Sequence, residues 1–217
     1  IFILAAAIST IWVTAWQHQL NKTVWILLIS LLGYGVIGFL DDGIKLYYKR
    51  NLGLRAWQKL LLQIIIAVVI VIIAASDNFK FGLFIPFFGV INNVVLFTIF
   101  IIFWLVGFSN AVNLSDGLDG LAAGVTLIVF SFFSLVSMAW GYPSISIFCG
   151  AATGACLGFL RFNAHPAKVF MGDTGSMALG GAVAATAILL NLTLFIPIVG
   201  GIYFIEALSV ILQVASF

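Results

Sequence analysis

Asn93-Val-Val-Leu-Phe-Thr-Ile-Phe-Ile-Ile-Phe-Trp-Leu-Val-Gly-Phe-Ser109 carries no charge over 17 residues. It runs straight into Asn110-Ala-Val-Asn113-Leu-Ser-Asp116-Gly117-Leu118-Asp119-Gly120, where polar residues recur at every third position. A hydrocarbon core about 30 Å thick takes about 20 apolar residues as helix. The first stretch lacks the strict alternation of a barrel strand, and a lipid-bathed backbone must satisfy its own hydrogen bonds. It therefore reads as a transmembrane helix. The polar stretch sits between two apolar runs and should face protein or a cavity.

Working outward, seven more runs of the same kind emerge. The eight expected spans are roughly 1–16, 24–40, 60–75, 93–109, 118–138, 145–161, 174–190 and 195–215. The whole composition agrees. Of 217 residues, 64% are apolar and 7% charged, and mean hydropathy is +1.25. A soluble domain has about 25% charged residues, so a soluble fold is excluded, and intrinsic disorder with it. A net charge of +2, with no dense basic stretch, argues against a nucleic-acid partner. The expected fold is all-α: a polytopic membrane protein whose residues 1–217 form a single transmembrane helical domain. The apolar ends at Ile1 and Phe217 suggest that it is cut from a longer chain at both ends.

The charges then give sidedness. Connections 41–59, 110–117 and 162–173, with the chain end, fall on one side by parity. They hold Lys45, Lys49, Arg50, Arg55, Lys59, Arg161 and Lys168; the other side holds Lys22 and Lys80. Seven basic residues against two is a positive-inside bias, so the first side should be cytoplasmic. Asp41, Asp42, Asp116, Asp119 and Asp173 share that side, Asp77 is external and Glu206 lies within a span. Among smaller features, Gly150, Gly154 and Gly158 have the spacing of a close helix–helix seam. Phe79 to Gly89 reads as an external hairpin or re-entrant piece. Cys149 and Cys156 read as packing residues, two turns apart.

Three loops, near 41–59, 110–120 and 162–174, hold the polar constellations. In the first, Asp41 and Asp42 are adjacent acids beside lipid. They repel unless a cation relieves them, and oxygen ligands suit Mg²⁺. If the helix continues, Lys45 and Lys49 fall on the face of Asp41. In the second, Asn113, Asp116 and Asp119 add amide and carboxylate groups beside the flexible Gly117. In the third, Phe162-Asn163-Ala-His165-Pro166-Ala-Lys168-Val-Phe170-Met-Gly-Asp173-Thr174-Gly-Ser176, Asp173 or Thr174 suits the N-cap of the next helix. Asp173 is the best single metal ligand, and Phe170 is placed to stack on a base. His165 reads as structural, or else as an acid/base group or phosphate contact. No zinc set, P-loop or Ser/Cys nucleophile constellation stands out. The chemistry suggested is Mg²⁺-assisted phosphoryl transfer.

Gly38-Phe-Leu-Asp41-Asp42, Asn110-Ala-Val-Asn113-Leu-Ser-Asp116-Gly-Leu-Asp119-Gly-Leu-Ala and Val169-Phe170-Met-Gly-Asp173-Thr-Gly-Ser-Met-Ala-Leu-Gly-Gly181 closely resemble the polyprenyl-phosphate N-acetylhexosamine-1-phosphate transferases. The Asn-Leu-Ser-Asp wording and Phe162-Asn-Ala-His-Pro-Ala167 favour the branch that uses UDP-MurNAc-pentapeptide over the UDP-GlcNAc branch. The resemblance implies transfer of phospho-MurNAc-pentapeptide to undecaprenyl phosphate, giving lipid I and UMP for peptidoglycan, with Mg²⁺ required. It also implies ten spans in the full protein, a homodimer, inhibition by nucleoside antibiotics, and an active site at the cytoplasmic face of the bacterial cell membrane. Carried onto this chain, Asp41, Asp42 and Asp173 form the acidic triad, with Asp173 the metal ligand. Gly117, Leu118, Asp119 and Phe170 resemble the uridine pocket, with Asn113, Asp116, Asn163 and Gln213 nearby. Lys45, Lys49 and Lys59 resemble phosphate or cleft contacts. Direct attack is preferred over a phospho-enzyme, with Asp41 meeting the lipid phosphate. An ion-coupled transporter is the remote alternative; against it, the acids lie at one face.

Overall fold

In the computed structural model, residues 1–50, 52–76, 83–85, 89–91 and 93–216 are described. All eight apolar runs are helical: α1 (Phe2–Trp16), α2 (Lys22–Tyr47), α3 (Ala56–Ala75), α4 (Val94–Leu114), α5 (Leu121–Ala139), α6 (Pro143–Asn163), α7 (Gly172–Leu189), and a last run split into α8 (Ile196–Val199) and α9 (Gly201–Ala215). Asn21 and Asn93 start α2 and α4 by accepting hydrogen bonds from Val24 N and Leu96 N, as Asn does at an N-cap. Strands β1 (Leu83–Ile85) and β2 (Gly89–Ile91) pair antiparallel, so the described part of the expected hairpin is one. The rest of it, with Asp77, Lys80 and Pro86, lies outside the described residues, as does Phe217.

Eight spans were expected; among the described residues five helices are long and apolar enough to cross a membrane, and six if the bent last pair is counted as one. Three physical reasons account for the difference. Helix α1 has 15 residues. The last run turns through 88° between α8 and α9, at Gly200-Gly201 just after Pro197. Helix α7 is not apolar enough because it is not exposed to lipid: residues 175–188 are all buried. A helix enclosed on every side needs small side chains more than greasy ones.

Helix α7 is the axis of the bundle, with α2 and α4 closest to it. An added methyl at Gly181 would lie 2.6 Å from the Tyr34 ring of α2, and at Gly180 2.7 Å from Ser109 Cα of α4. Of the seam expected at Gly150, Gly154 and Gly158, only Gly150 meets a neighbour: a methyl there would lie 3.7 Å from Ser134 Oγ of α5. Nothing lies within 4 Å of a methyl built at Gly154 or Gly158. Those two glycines instead line an apolar cavity of about 520 Å³, together with Phe159, Phe162, Phe170 and Thr174. Cys149 and Cys156 are buried and free.

Candidate active site

Helix α2 does not stop at residue 40 but runs on to Tyr47, so Asp41, Asp42 and Lys45 occupy its last turns. Lys45 Nζ reaches Asp41 Oδ2 at 2.6 Å, the i,i+4 pairing expected. Lys49 does not follow. It lies beyond the helix with a left-handed φ of 48°, exposed, with no ion pair among the described residues.

Helix α7 brings the third acid. Its N-cap is Met171, with no side-chain cap. The expectation of Asp173 or Thr174 in that place is corrected by a cap supplied from another helix. Asp42 Oδ2 accepts from both Thr174 N at 2.9 Å and Thr174 Oγ1 at 2.7 Å. A carboxylate is favoured there by the free amides and the positive end of the helix dipole. Asp42 thus fixes the position of Asp173, the next residue back. Asp173 Oδ2 accepts from Lys45 Nζ at 3.1 Å and Lys59 Nζ at 3.2 Å, and its Oδ1 accepts from Asn113 Nδ2 at 2.9 Å. Asn113 also donates to Ser176 Oγ.

Four helices therefore meet on one carboxylate. Asp41, Asp42 and Asp173 each offer an oxygen, all within 4.8 Å of one another. An all-oxygen carboxylate set is the donor chemistry of Mg²⁺. Three carboxylates against the ammonium groups of Lys45 and Lys59 leave one net negative charge, so a divalent cation would turn the site positive, as a diphosphate requires. The three acids are not equivalent. Asp41 is 4% exposed and already holds Lys45 and Leu54 N, at 2.8 Å. Gly53 leaves it room, since a methyl there would come within 2.5 Å of the carboxylate. Asp42 and Asp173 are the more open pair.

Helix α4 ends at Leu114, so the polar series divides. Asn110 and Asn113 lie on the helix, and Asp116 and Asp119 in the turn after it. The Asp116 carboxylate has no hydrogen-bond partner among the described residues. Its pKa is pushed up to about 7, by burial first and then by the negative charges of Asp173 and Asp42. Asp119 is held below the usual carboxylate range by Ala167 N and then by His165. Its Oδ2 lies 3.0 Å from Ala167 N and 3.0 Å from His165 Nδ1.

Asn163 is buried and clamps the same two loops: Gly120 N donates to its Oδ1 at 3.1 Å, and its Nδ2 donates to Val169 O at 2.9 Å. This is a scaffold role for a residue expected at the nucleotide. The clamp presents Gly117, Leu118 and Phe170 outward; Phe170 is 75% exposed, open to stacking. An Asn163→Ala variant leaves both backbone groups without their partner, at about 1–3 kcal/mol. Its melting temperature should fall by several degrees and its nucleotide KM should rise roughly tenfold. A KM unchanged within twofold would separate the clamp from the pocket. Gln213, on α9, hydrogen-bonds Ser209 of its own helix and is not brought to this cluster.

Sequence reasoning missed Gly53 and the Leu54 amide, and named Thr174 and Ser176 without their partners. Only the Gly-Asp-Thr-Gly-Ser string, dense in small polar residues, marked two of them.

The sequence description of glycosyl transferase family 4 matches residues 24–191, a range that holds the whole cluster. The chain belongs to glycosyl transferase family 4. Within the family, it is 62% identical over all 217 residues to a phospho-N-acetylmuramoyl-pentapeptide-transferase of Lactobacillus acidophilus, covering 67% of that relative. It is 63% identical to the protein of that name from Lactobacillus helveticus, again over the whole chain and 67% of the relative. For the Lactiplantibacillus plantarum protein of that name the identity is 50%, over 68% of its length.

Proposed function

We propose that this chain carries the catalytic centre of a phospho-N-acetylmuramoyl-pentapeptide-transferase. It moves phospho-MurNAc-pentapeptide from UDP-MurNAc-pentapeptide to undecaprenyl phosphate, giving lipid I and UMP. The observation that carries the reading is the convergence of Asp41, Asp42, Asp173, Lys45 and Lys59 at one end of the bundle. The names of the relatives supply the substrate. The apolar helices make this a membrane protein. The seven-to-two basic bias supports a cytoplasmic position for the cluster, and the bacterial relatives support a bacterial cell membrane.

Mg²⁺ bound by Asp173 and Asp42 would neutralise the diphosphate and the developing charge on the leaving UMP. The protein's own groups do the rest. Lys45 and Lys59 flank the phosphates, Phe170 with the 117–119 turn takes the uracil, and Asp42 sets the N-terminus of α7. A phosphate monoester such as the acceptor has a second pKa near 6 and is mostly dianionic at pH 7, so attack needs no strong base. The enclosure of Asp41 supports this: its carboxylate is committed to Lys45 and Leu54 N, which suits a positioning residue better than the lipid contact expected of it. We therefore retain direct attack.

Full-length protein with undecaprenyl phosphate and Mg²⁺ should release UMP from UDP-MurNAc-pentapeptide and not from UDP-GlcNAc. Release from UDP-GlcNAc alone would sink the muramoyl assignment.

Asp116 gives a pH signature. Its folded pKa, about 7, lies above the ordinary 3.8. The folded state therefore holds the proton more tightly, and the group's stabilisation is complete below about pH 4 and lost as pH rises through 7. Asp116→Asn should then raise the melting temperature relative to wild type at pH 8.5 and leave it near wild type at pH 4, both without divalent cation. An equal effect at both values would contradict the assigned environment.

A further inference from the structure

Beneath the acids and lysines lies a second polar layer. Gln63 follows Lys59 by one turn of α3 and is 1% exposed. Its Nε2 donates to Ser109 Oγ at 3.3 Å, and its Oε1 accepts from Asn110 Nδ2 at 3.1 Å, both on α4. The main-chain carbonyl of Gln63 accepts from the Tyr34 hydroxyl of α2 at 3.3 Å, and the Tyr34 ring lies over Gly181 of α7. This layer touches the three helices that carry the acids and lysines, α2, α3 and α7, and α4, which carries Asn113.

Helix α3 needs such a tie. Its fully buried residues are Gln63, Ala67, Ile70 and Ala74; Leu62, Ile66, Val71 and Ile73 pack part-buried against the core, and Leu60, Leu61, Ile65, Val68, Val69 and Ile72 are exposed apolar side chains. An apolar surface sliding on apolar lipid offers little to fix rotation or depth, because lipid tails and aliphatic side chains are equivalent partners. Two directional hydrogen bonds from one amide fix both. Lys59 has the same helix as its base and must place Nζ 3.2 Å from Asp173.

We infer that Gln63 is a positioning residue: its amide locks α3 onto α4 and so holds the Lys59 ammonium at Asp173 during transfer. The inference rests on the function proposed above.

The test is a cycle of Gln63→Met, Lys59→Ala and the double variant in full-length protein. UMP release and nucleotide KM are measured, with intrinsic tryptophan fluorescence melting as the fold check. Lys59→Ala should lower kcat about 100-fold. Gln63→Met should lower kcat about 30-fold, with KM within about threefold. In the Lys59→Ala background the Gln63→Met effect should shrink to less than threefold, because the group it positions is gone. Gln63→Glu keeps the oxygen that accepts from Asn110 and should lose less than fivefold; Gln63→Leu, which removes both amide bonds, serves in the same cycle if Gln63→Met does not assemble. Effects that multiply would overturn the inference and leave the active site standing, since they mean that Gln63 acts on the bundle and not through Lys59. A harmless Lys59→Ala would overturn the site itself, and the inference with it.

Discussion

Asp173→Asn should slow UMP release at least about 1000-fold, equivalent to about 4 kcal/mol of transition-state stabilisation, while melting within a few degrees of wild type. The substitution is nearly isosteric, and the amide oxygen can still accept from Lys45, Lys59 or Asn113. What disappears is the charge. Without it, two ammonium groups face two carboxylates, one of them enclosed, and the preference for a divalent cation is lost. Removing a single preorganised electrostatic group from an active site costs about 10²–10³ in kcat; removing one that also holds the metal costs more. Asp41→Asn offers a comparison. Its carboxylate positions Lys45 and the 53–54 backbone, so it should cost stability as well as rate. Retention of more than a tenth of wild-type activity by Asp173→Asn would remove Asp173 from the centre of the reaction.

Much of this site was legible before any fold was in view, and the physical reason is lipid. A bilayer expels charge, so the few acids of the chain could only gather at an end of the bundle, and counting lysines located that end. The apolar runs were equally plain, because long uncharged stretches have few alternatives to helix. What the sequence concealed was contact between elements. Nothing in the string Gly38-Phe-Leu-Asp41-Asp42 says that Asp42 caps a helix 130 residues later, or that α2 carries Lys45 more than a turn past the apolar limit while Lys49 turns away. Gly154 and Gly158 misled for a related reason. A row of glycines has the same spacing whether it faces a helix or floors a cavity, and only the neighbours decide. The Gly180-Gly181 pair, less regular in sequence, turned out to be the close seam. Asn163 shows the same limit: as a polar residue beside a nucleotide loop it reads as a ligand, yet both ends of its amide are used on backbone.

The contact that ties the packing most directly to the chemistry is at Gly38. A methyl added there would overlap the backbone carbonyl of Asp173 itself, so α2 and α7 would have to separate where the acids meet. Overpacking of this kind costs about 1–3 kcal/mol, and a displacement of 1 Å at reacting groups can cost about 100-fold in rate. Gly38→Ala should therefore lose at least about 30-fold in kcat and melt several degrees lower. Two glycines on the same helix provide the controls. At Gly35 the methyl would meet Ala178 Cβ at 3.2 Å, a contact that a small adjustment relieves. At Gly43 it would meet nothing within 4 Å, and exchanging Gly for Ala in a helix interior is worth about 0.5–1 kcal/mol in favour of Ala. Gly35→Ala should stay within about threefold of wild type, and Gly43→Ala should be neutral or slightly more stable. This ordering follows from the α2–α7 distance at each position and not from helix propensity, which would favour alanine equally at all three. Equal behaviour of Gly38→Ala and Gly43→Ala would mean that the two helices do not meet where Asp173 is held.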